Sequence, residues 1–299
     1  MALTFGAAAG ATSGAKGAFV NLLSRRRDLG GLAVFLGRSG DLEARLAATA
    51  KEVRAAQKLR YRVFFEGGDA APNAIGRLVR RDLCPFDRAC DHLIVTDKGL
   101  ARLGRPEVVG AYRLLRQEVA ECRFGFYSAR EFDLAPLLAR WPGLRFLEVG
   151  RACVAESHRG RHVLDLLWRG LWLYARHHGL DALIGCASLP GADPTHHSTA
   201  VRALASGGDP RFRVSPLPER AAAMPDASGE PPIDPRALLR ALPPLVKGYL
   251  RLGATFSPIP AVDRAFGSID LFVAIPLSKV EPRYLEHFGL EAPRRRLAA

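Results

Sequence analysis

Residues 146–189 read FLEVGRACVAESHRGRHVLDLLWRGLWLYARHHGLDALIGCASL. The run from Phe146 to Val154 is mostly apolar and short, which is typical of a strand, and Ala182 to Leu189 is a second strand of small and apolar residues. Between them, Arg161 to His178 has apolar side chains at helical spacing: Val163, Leu166, Leu167, Leu171 and Tyr174. A helix between two successive strands predicts a crossover connection and a parallel pair of strands.

The residues before this unit predict more of the same sheet. Apolar residues alternate from Leu42 to Ala48, as in a half-buried strand, and Leu32 to Leu36 is a further short candidate. Thr49 and Glu52 have the spacing of a capping box, so we expect a helix that begins there and ends near Gly67-Gly68. Its apolar side consists of Val53, Ala56, Leu59 and Val63.

Two further strands, 91–96 and 108–115, follow a loop at about 66–90 and are expected to be antiparallel because a turn joins them. Beyond a Pro- and Ser-rich loop at 216–235, a helix is expected near 234–251 and a strand at 269–275. The predicted fold class is therefore α/β, with a mixed, twisted sheet flanked by helices.

Composition limits the possible settings of the chain. Its 299 residues, 48% of them hydrophobic, suffice for one large core, and the net charge of +13 favours acidic partners: anionic lipid, an acidic carrier protein or nucleic acid. Five cysteines without a CxxC pair predict neither a disulfide framework nor a zinc knuckle, which favours a reducing cytoplasm. We find no apolar run of the roughly 18 residues that a membrane span needs.

Several segments together resemble a known enzyme family. They are 59–65 (LRYRVFF), 82–93 (DLCPFDRACDHL), 109–115 (VGAYRLL), 125–133 (GFYSAREFD) and 146–151 (FLEVGR), with 157–160 (SHRG) before the helix. In combination they resemble the ornithine acyl-carrier-protein N-acyltransferases, relatives of the acyl-homoserine-lactone synthases within the GNAT superfamily. The resemblance implies a GNAT-like core at 41–205, after a flexible N-terminal arm at 1–40 and before a C-terminal extension at 206–299 that completes the sheet and the substrate cleft.

The resemblance also implies roles for charged residues near the start of the chain. Asp82, Asp87 and Asp91 would hold the amine end of the amino-acid substrate, and Arg60 would grip its carboxylate. From the residues alone, three aspartates in a loop are more typical of a solvated turn, and Arg60 could equally be a side chain that buries its stem and snorkels from a helix. The three carboxylates, with only His92 nearby, indicate no particular metal ion.

Glu148 is the candidate general base. It lies in an apolar strand, where a half-buried carboxylate tends towards a raised pKa. The alternative is that Glu148 forms an ion pair with Arg113 or Arg151. Both arginines are also candidates for binding the substrate. Cys186 is interpreted as a filler of the core, and the His177-His178 and His196-His197 pairs as structural or surface residues.

The segment before the long helix is the candidate site for the acyl donor. In acetyl-CoA enzymes this place carries a glycine-rich cradle for pyrophosphate, whereas here Ser157 and His162 replace its first and last members and only Gly160 fits. We therefore expect a phosphopantetheine arm, with one phosphodiester, bound by Ser157, Gly160, Arg159 and Arg161. An ordinary helix N-terminus with exposed arginines is the alternative.

The expected reaction is transfer of a 3-hydroxyacyl group from acyl carrier protein to the α-amine of L-ornithine, which gives lyso-ornithine lipid and needs no cofactor of the enzyme's own. The expected location is the cytoplasm, with peripheral contact to anionic lipid of the inner membrane and no nucleic-acid partner. Two alternatives remain open: an enzyme that acylates another amine, such as a lactone-synthase-like one, and a non-catalytic basic module that binds membrane or nucleic acid.

Overall fold

The computed structural model describes residues 31–68, 70–102, 105–224 and 235–288. Within them, nine strands form one mixed sheet: β1 Phe35–Ser39, β2 Leu42–Leu46, β3 Asp91–Arg102, β4 Arg105–Arg116, β5 Phe146–Val154, β6 Ala182–Pro190, β7 Thr255–Phe256, β8 Ala261–Asp263 and β9 Ser268–Pro276. The sheet order is β1-β2-β3-β4-β5-β6-β9-β7, and β8 also pairs with β9. Every neighbouring pair is antiparallel except β5–β6, which is parallel.

The α-helices of the described residues are α1 Ala50–Tyr61, α2 Ala74–Val79, α3 Gln117–Glu121, α4 Ala135–Arg140, α5 Arg161–His177, α6 Ser198–Ala205, α7 Pro235–Ala241, α8 Pro244–Arg251 and α9 Pro282–His287. Helix α5 is the predicted crossover between β5 and β6. The predicted fold class, α/β with a mixed sheet flanked by helices, is confirmed.

Each face of the sheet has its own apolar core. Helix α5 buries Leu167, Leu171 and Tyr174 against side chains of β3, β5 and β6, as its spacing predicts. On the opposite face, Val53, Ala56 and Leu59 of α1 pack on β3 and β4, and an aromatic cluster covers β5, β6 and β9: Phe86, Phe132, Phe146 and Phe272. Because side chains alternate along a strand, the sequence position of a residue on β3 to β6 determines which core it enters.

The predicted start of α1 is present in full. The Thr49 hydroxyl accepts from the Glu52 N–H at 3.3 Å, and Glu52 Oε2 accepts from the Thr49 N–H at 2.9 Å. Such a cap contributes about 1 kcal/mol. The helix does not end at Tyr61 but widens into a π-helical turn, Arg62–Glu66, and stops at Gly67, close to the expected end.

Differences from the expected elements have local causes. The loop at 66–90 contains α2, a short helix that Asn73 caps through the Gly76 N–H. The single helix expected near 234–251 is two helices, because Pro243 and Pro244 interrupt it. Strand β1 lies inside the expected arm at 1–40, and residues 1–30 of that arm lie outside the described part of the chain.

Strands β7 to β9 and helix α8 come from the C-terminal third of the chain but belong to the same sheet and core as the middle. Among the described helices, none has the length and apolar character that a bilayer span requires.

Candidate active site

The parallel strands β5 and β6 separate in the middle of the sheet. They pair only at Phe146–Ala182, Leu147–Leu183 and Glu148–Ile184; beyond these pairs, β5 stays with β4 and β6 stays with β9. Gly185 lies at the point of separation, where an added Cβ would be 2.3 Å from the Val149 carbonyl oxygen. A cavity of about 260 Å³ opens between the two strands, lined by Val149 to Ala152 on one side and by Cys186 to Ser188 on the other.

The cavity crosses the sheet, so its two ends differ in character. On the α5 face it is lined by apolar and tyrosine side chains, among them Val149, Val246 and Tyr249. There the Tyr112 and Tyr249 hydroxyl groups hydrogen-bond at 2.5 Å. On the α1 face it is lined by charged and polar side chains: Arg113, Tyr127, Glu148, Arg151, Ser188, Asp263 and Asp270.

Glu148 is the last residue of β5 that pairs with β6, and its carboxylate faces the polar end of the cavity. The backbone N–H of Tyr127 donates to Oε2 at 2.6 Å, while the N–H and the hydroxyl of Ser128 donate to Oε1 at 2.7 and 2.6 Å. A carboxylate has about four acceptor positions, so these three bonds fix its orientation and leave one for water or substrate.

Burial raises the pKa of Glu148 above its ordinary value of 4.5, and the hydrogen bonds from Ser128 and Tyr127 offset only part of that rise. A carboxylate with a raised pKa is a stronger base than an exposed one, as the strand position predicts. Neither Arg113 nor Arg151 lies within ion-pair distance of Glu148 in the described structure, so the alternative of a direct ion pair does not describe this site.

Arg151 enters the polar end of the cavity because β5 contains a bulge. The pairing of β4 with β5 shifts by one residue between Ala111 and Arg113, and Arg151 has a φ of 54°, which is rare for a residue other than glycine. Strict alternation would place Arg151 on the α5 face with Val149. Instead, its guanidinium stacks on the ring of Phe266 at 4.3 Å, and its Nη2 donates a hydrogen bond to the Tyr127 hydroxyl at 3.2 Å.

Arg113 is the second guanidinium at this end. It is buried, lies over the Tyr127 ring at 5.1 Å, and donates to Cys84 Sγ at 3.1 Å. Arg113 and Arg151 thus flank Tyr127 from two strands, close to Glu148. Two guanidiniums in one cavity are suited to binding a carboxylate.

Asp82, Asp87 and Arg60 lie behind these guanidiniums and do not line the cavity. Arg60 is 1% exposed; it donates to both oxygens of Asp87, at 3.0 and 2.6 Å, and its Nε lies 2.8 Å from Asp82 Oδ2. Burial alone would raise the pKa of Asp87, but Arg60 outweighs it and the pKa falls well below 3.8. The Arg60 guanidinium, which was expected to bind the substrate carboxylate, is therefore already paired with two carboxylates of the protein.

The same two aspartates hold the cavity arginines from behind. Asp82 Oδ2 is 3.3 Å from Arg151 Nε, and Asp87 Oδ1 is 3.6 Å from Arg113 Nη1. Arg60, Asp82 and Asp87 were expected to contact the substrate directly, but in this structure they form a buried network that holds Arg113 and Arg151. In that network the two carboxylates pair with three guanidiniums. The excess positive charge of this group is on the cavity side.

Asp91 lies on the other face of the sheet. It begins β3 and accepts a hydrogen bond from the Tyr174 hydroxyl of α5 at 2.7 Å, with its neighbours Leu93 and Val95 in the α5 core. Strand alternation separates it from Glu148, so the expectation that Asp91 holds the substrate amine does not fit its position.

Besides Glu148, the carboxylates in or next to the cavity come from β8, β9 and the residue after Ser128–Arg130. Asp263 and Asp270 line it, and Glu131 lies behind, with one carboxylate oxygen within 4.8 Å of Asp270 and Cys186. Sequence reasoning missed all three. Asp270 carries the same signal as Glu148, an acid inside an apolar strand, and Glu131 lies in the segment 125–133 on which the family resemblance partly rests.

The expected donor segment begins α5. Gly160 is the residue before the helix, with extended backbone and open space around its α-carbon, and Arg161 is the first helical residue. The Ser157 hydroxyl bonds to His158, which in turn contacts Asp97 at 2.9 Å, and exposed Arg159 lies 3.8 Å from Glu156. The helix N-terminus is therefore accessible to a phosphate, and the role of these four residues stays a prediction.

Comparison with known proteins identifies relatives of this chain. The model of the acetyltransferase (GNAT) domain family matches residues 59–169. An L-ornithine N(alpha)-acyltransferase of Agrobacterium fabrum is 45% identical over 263 residues, 86% of this chain and 88% of its own. One of Brucella abortus is 42% identical over 266 residues, 88% of this chain and 94% of its own.

Among solved structures, an N-acyl amino acid synthase from uncultured soil microbes superimposes with a TM-score of 0.43 at 14% identity, over 80% of this chain and 94% of that one. The two sequence relatives decide the family. The chain belongs to the family of the L-ornithine N(alpha)-acyltransferases and is an N-acyltransferase with a GNAT-like fold.

Proposed function

We propose that this protein transfers a 3-hydroxyacyl group from acyl carrier protein to the α-amine of L-ornithine, which gives lyso-ornithine lipid, the product of the first step of ornithine lipid biosynthesis. The amine substrate is the one that the names of the close relatives give for those proteins. The observation that carries the proposal is the cleft at Glu148, which has guanidiniums and carboxylates at one end and an apolar lining at the other.

The amino-acid substrate binds at the polar end. Its carboxylate pairs with Arg151 and Arg113, whose orientations Asp82, Asp87 and Tyr127 fix beforehand. Such preorganisation matters because guanidiniums that are already oriented lose little freedom when the substrate arrives. The α-amine is then directed towards Glu148.

The reaction forms one C–N bond and breaks one C–S bond. The α-ammonium first loses one proton to water, and its neutral nitrogen then attacks the thioester carbonyl carbon. As the C–N bond forms, the open acceptor position of Glu148 Oε2 receives the second proton of the nitrogen, directly or through water. That proton passes to the sulfur as the C–S bond breaks, so the sulfur leaves as a thiol and Glu148 is again ionised. A base of this kind typically contributes 10² to 10⁴-fold in rate.

The acyl donor enters between the separated strands. From Val149 and Gly185 onwards, no strand of the described structure pairs with the facing edges of β5 and β6, so the amide groups of a phosphopantetheine arm have backbone partners there. Its single phosphodiester is placed at the N-terminus of α5, near Ser157, Arg159, Gly160 and Arg161. The enzyme needs no cofactor beyond this arm, which belongs to the carrier protein.

The charge of the chain supports the proposed partner and place of reaction. The net charge of +13 favours docking of an acidic carrier protein, and the same surface favours release of the product at the anionic face of the inner membrane.

The test is to incubate the purified full chain with one 3-hydroxyacyl chain, carried either on acyl carrier protein or on CoA, and with each of several amines. Product is identified by mass spectrometry. We expect Nα-acylornithine, formed more efficiently from the carrier-protein thioester. Equal kcat/KM with the CoA thioester would overturn the donor assignment, and absence of acylornithine with either donor would overturn the reaction.

A further inference from the structure

Three carboxylates meet beside the cleft without a basic partner. Glu131, Asp263 and Asp270 are 5%, 8% and 5% exposed, and within the described ranges no Lys, Arg or His lies within ion-pair distance of any of them. Asp263 Oδ1 accepts from the backbone N–H groups of Ala265 and Phe266, and Asp270 Oδ1 accepts from the Ser268 hydroxyl. These neutral donors satisfy part of the set but do not balance its charge.

The acids of this group have only one another and neutral groups as partners in the described structure. Glu131 is linked to Asp270 and to the Cys186 thiol, and no basic side chain or backbone N–H donates to its buried Oε2. The backbone of Glu131 is fixed on both sides, because its N–H donates to the Ser128 carbonyl and its carbonyl accepts from the Leu217 N–H. Buried acids without a cationic partner cost free energy, so their retention beside a cavity indicates that a cation arrives with a ligand.

From this arrangement we infer that Glu131, Asp263 and Asp270 form the binding site for the second, side-chain ammonium group of the amine substrate. The inference rests on the proposed function and adds the determinant of substrate choice. A diamino acid then spans the polar end of the cleft, with its carboxylate at Arg151 and Arg113, its α-amine at Glu148, and its remote ammonium at the three acids.

The chemistry of the set favours an ammonium over a metal ion. Cys186 Sγ is the third group within 4.8 Å of Glu131 and Asp270, but a thiol binds metal as its thiolate. Burial and the neighbouring Glu131 raise the pKa of Cys186 well above 9, so the thiol stays protonated. An ammonium group supplies a positive charge and three donors, which fit the Glu131–Asp270 pair and the remaining acceptor positions of Asp263.

Ionisation of the free site agrees with this. Burial and the mutual repulsion of the acids raise the pKa of Glu131 to about 8 and raise that of Asp270, since no basic side chain balances them. A ligand cation reverses that repulsion, and binding of ornithine is therefore accompanied by release of protons from the site.

The experiment compares two substrates that differ only in the remote amine: ornithine and norvaline, which has the same carbon chain without it. We measure kcat/KM for both with the wild type, Glu131→Gln and Asp270→Asn. The wild type should prefer ornithine by at least about 10²-fold, because a site built for a polar group rejects the analogue that lacks it. The variants should lose most of that preference, because their kcat/KM for ornithine falls by a much larger factor than their kcat/KM for norvaline, mainly through a raised KM for ornithine.

Matched controls are Glu219→Gln and Asp133→Asn, which replace exposed carboxylates away from the cleft and should keep the wild-type preference. Equal losses for ornithine and norvaline in the Glu131 and Asp270 variants would mean a purely structural role and overturn the inference. Equal use of both substrates by the wild type would also overturn it.

A binding measurement separates this inference from the proposed reaction. Thermal unfolding is followed with ornithine, norvaline, 1,4-diaminobutane, Mn²⁺ or Zn²⁺ in turn. Stabilisation by the two diamines, but not by norvaline, that disappears in Glu131→Gln supports the ammonium site even if no acyl transfer occurs. Stabilisation by Mn²⁺ or Zn²⁺ alone, lost in the same variant, would assign the cluster to a metal and overturn the inference.

Discussion

At the scale of single residues, three hydrogen bonds hold the Glu148 carboxylate and burial makes it more basic. The raised pKa determines the direction in which activity changes with pH. Only the ionised form accepts a proton, so activity is present above the raised pKa and is lost as the pH falls through it.

We therefore expect the kcat/KM for ornithine to decline on the acid side with an apparent pKa above 4.5. Glu148→Gln should lower kcat by about 10² to 10⁴-fold and remove that acid limb. The measurement is a pH–rate profile at saturating acyl donor, with exposed Glu118→Gln as the control. A Glu148→Gln profile that keeps the wild-type acid limb would exclude Glu148 as the base.

Arg60 was expected to bind the substrate, but its buried pairs with Asp82 and Asp87 indicate a role in stability. We predict that Arg60→Met destabilises the fold by about 3–5 kcal/mol, because Asp82 and Asp87 would be left buried without their partner. Urea unfolding measures this.

The control is Arg62→Met, which removes a half-exposed pair with Glu107 and should change the free energy of unfolding by about 1 kcal/mol or less. If Arg60→Met kept full stability and raised only the KM for ornithine, Arg60 would be a direct substrate ligand after all.

At the scale of elements, the separation of β5 from β6 creates the site, and Gly185 marks where it begins. Gly185→Ala would place a Cβ 2.3 Å from the Val149 carbonyl oxygen and push the strands apart at their last pairs. We expect the free energy of unfolding to fall by about 1–3 kcal/mol. We also expect kcat/KM to fall, because the shifted strands line the cleft.

Gly143→Ala is the matched control, since a Cβ there meets no atom within 4 Å. Thermal unfolding and kcat/KM are measured on both variants. A Gly185→Ala protein that matches Gly143→Ala in stability and activity would show that the close approach of the strands is not required.

Periodicity predicted the elements well and the site poorly, for a physical reason. Strand β5 and helix α5 were predictable because their apolar side chains repeat with the period of the structure that buries them. The position of Asp91 was not, because local sequence does not show which face of the sheet a side chain at a strand's first residue enters. Likewise, no sequence signal marks the bulge that turns Arg151 into the cleft; it is a property of the pairing of β4 with β5.

At the scale of the whole molecule, the cleft is assembled from distant parts of the chain. The middle of the chain provides Glu148 and the guanidiniums, while β8, β9 and α8 from the C-terminal third provide the facing acids and tyrosine. The C-terminal extension therefore contributes directly to the cavity in this structure.

The net charge of +13 leads to a prediction about donor choice. We expect kcat/KM with 3-hydroxyacyl carrier protein to fall as salt rises from 0.05 to about 0.5 M, because screening shortens the range of attraction between oppositely charged surfaces to below about 10 Å. The same acyl group on pantetheine alone, without the acidic protein, should show little salt dependence. Identical salt dependence for both donors would contradict docking through charge.

The most direct test of the central claim is a crystal structure of this protein with its acylated amino-acid product bound. We predict that the new amide lies in the cleft between β5 and β6 within hydrogen-bond reach of Glu148, with the product carboxylate on Arg151. The remote amine should lie against Glu131 and Asp270, and the acyl chain should run past Tyr249. Product bound instead in the groove between Trp168, Leu252 and Phe288, with the cleft at Glu148 empty, would contradict the account.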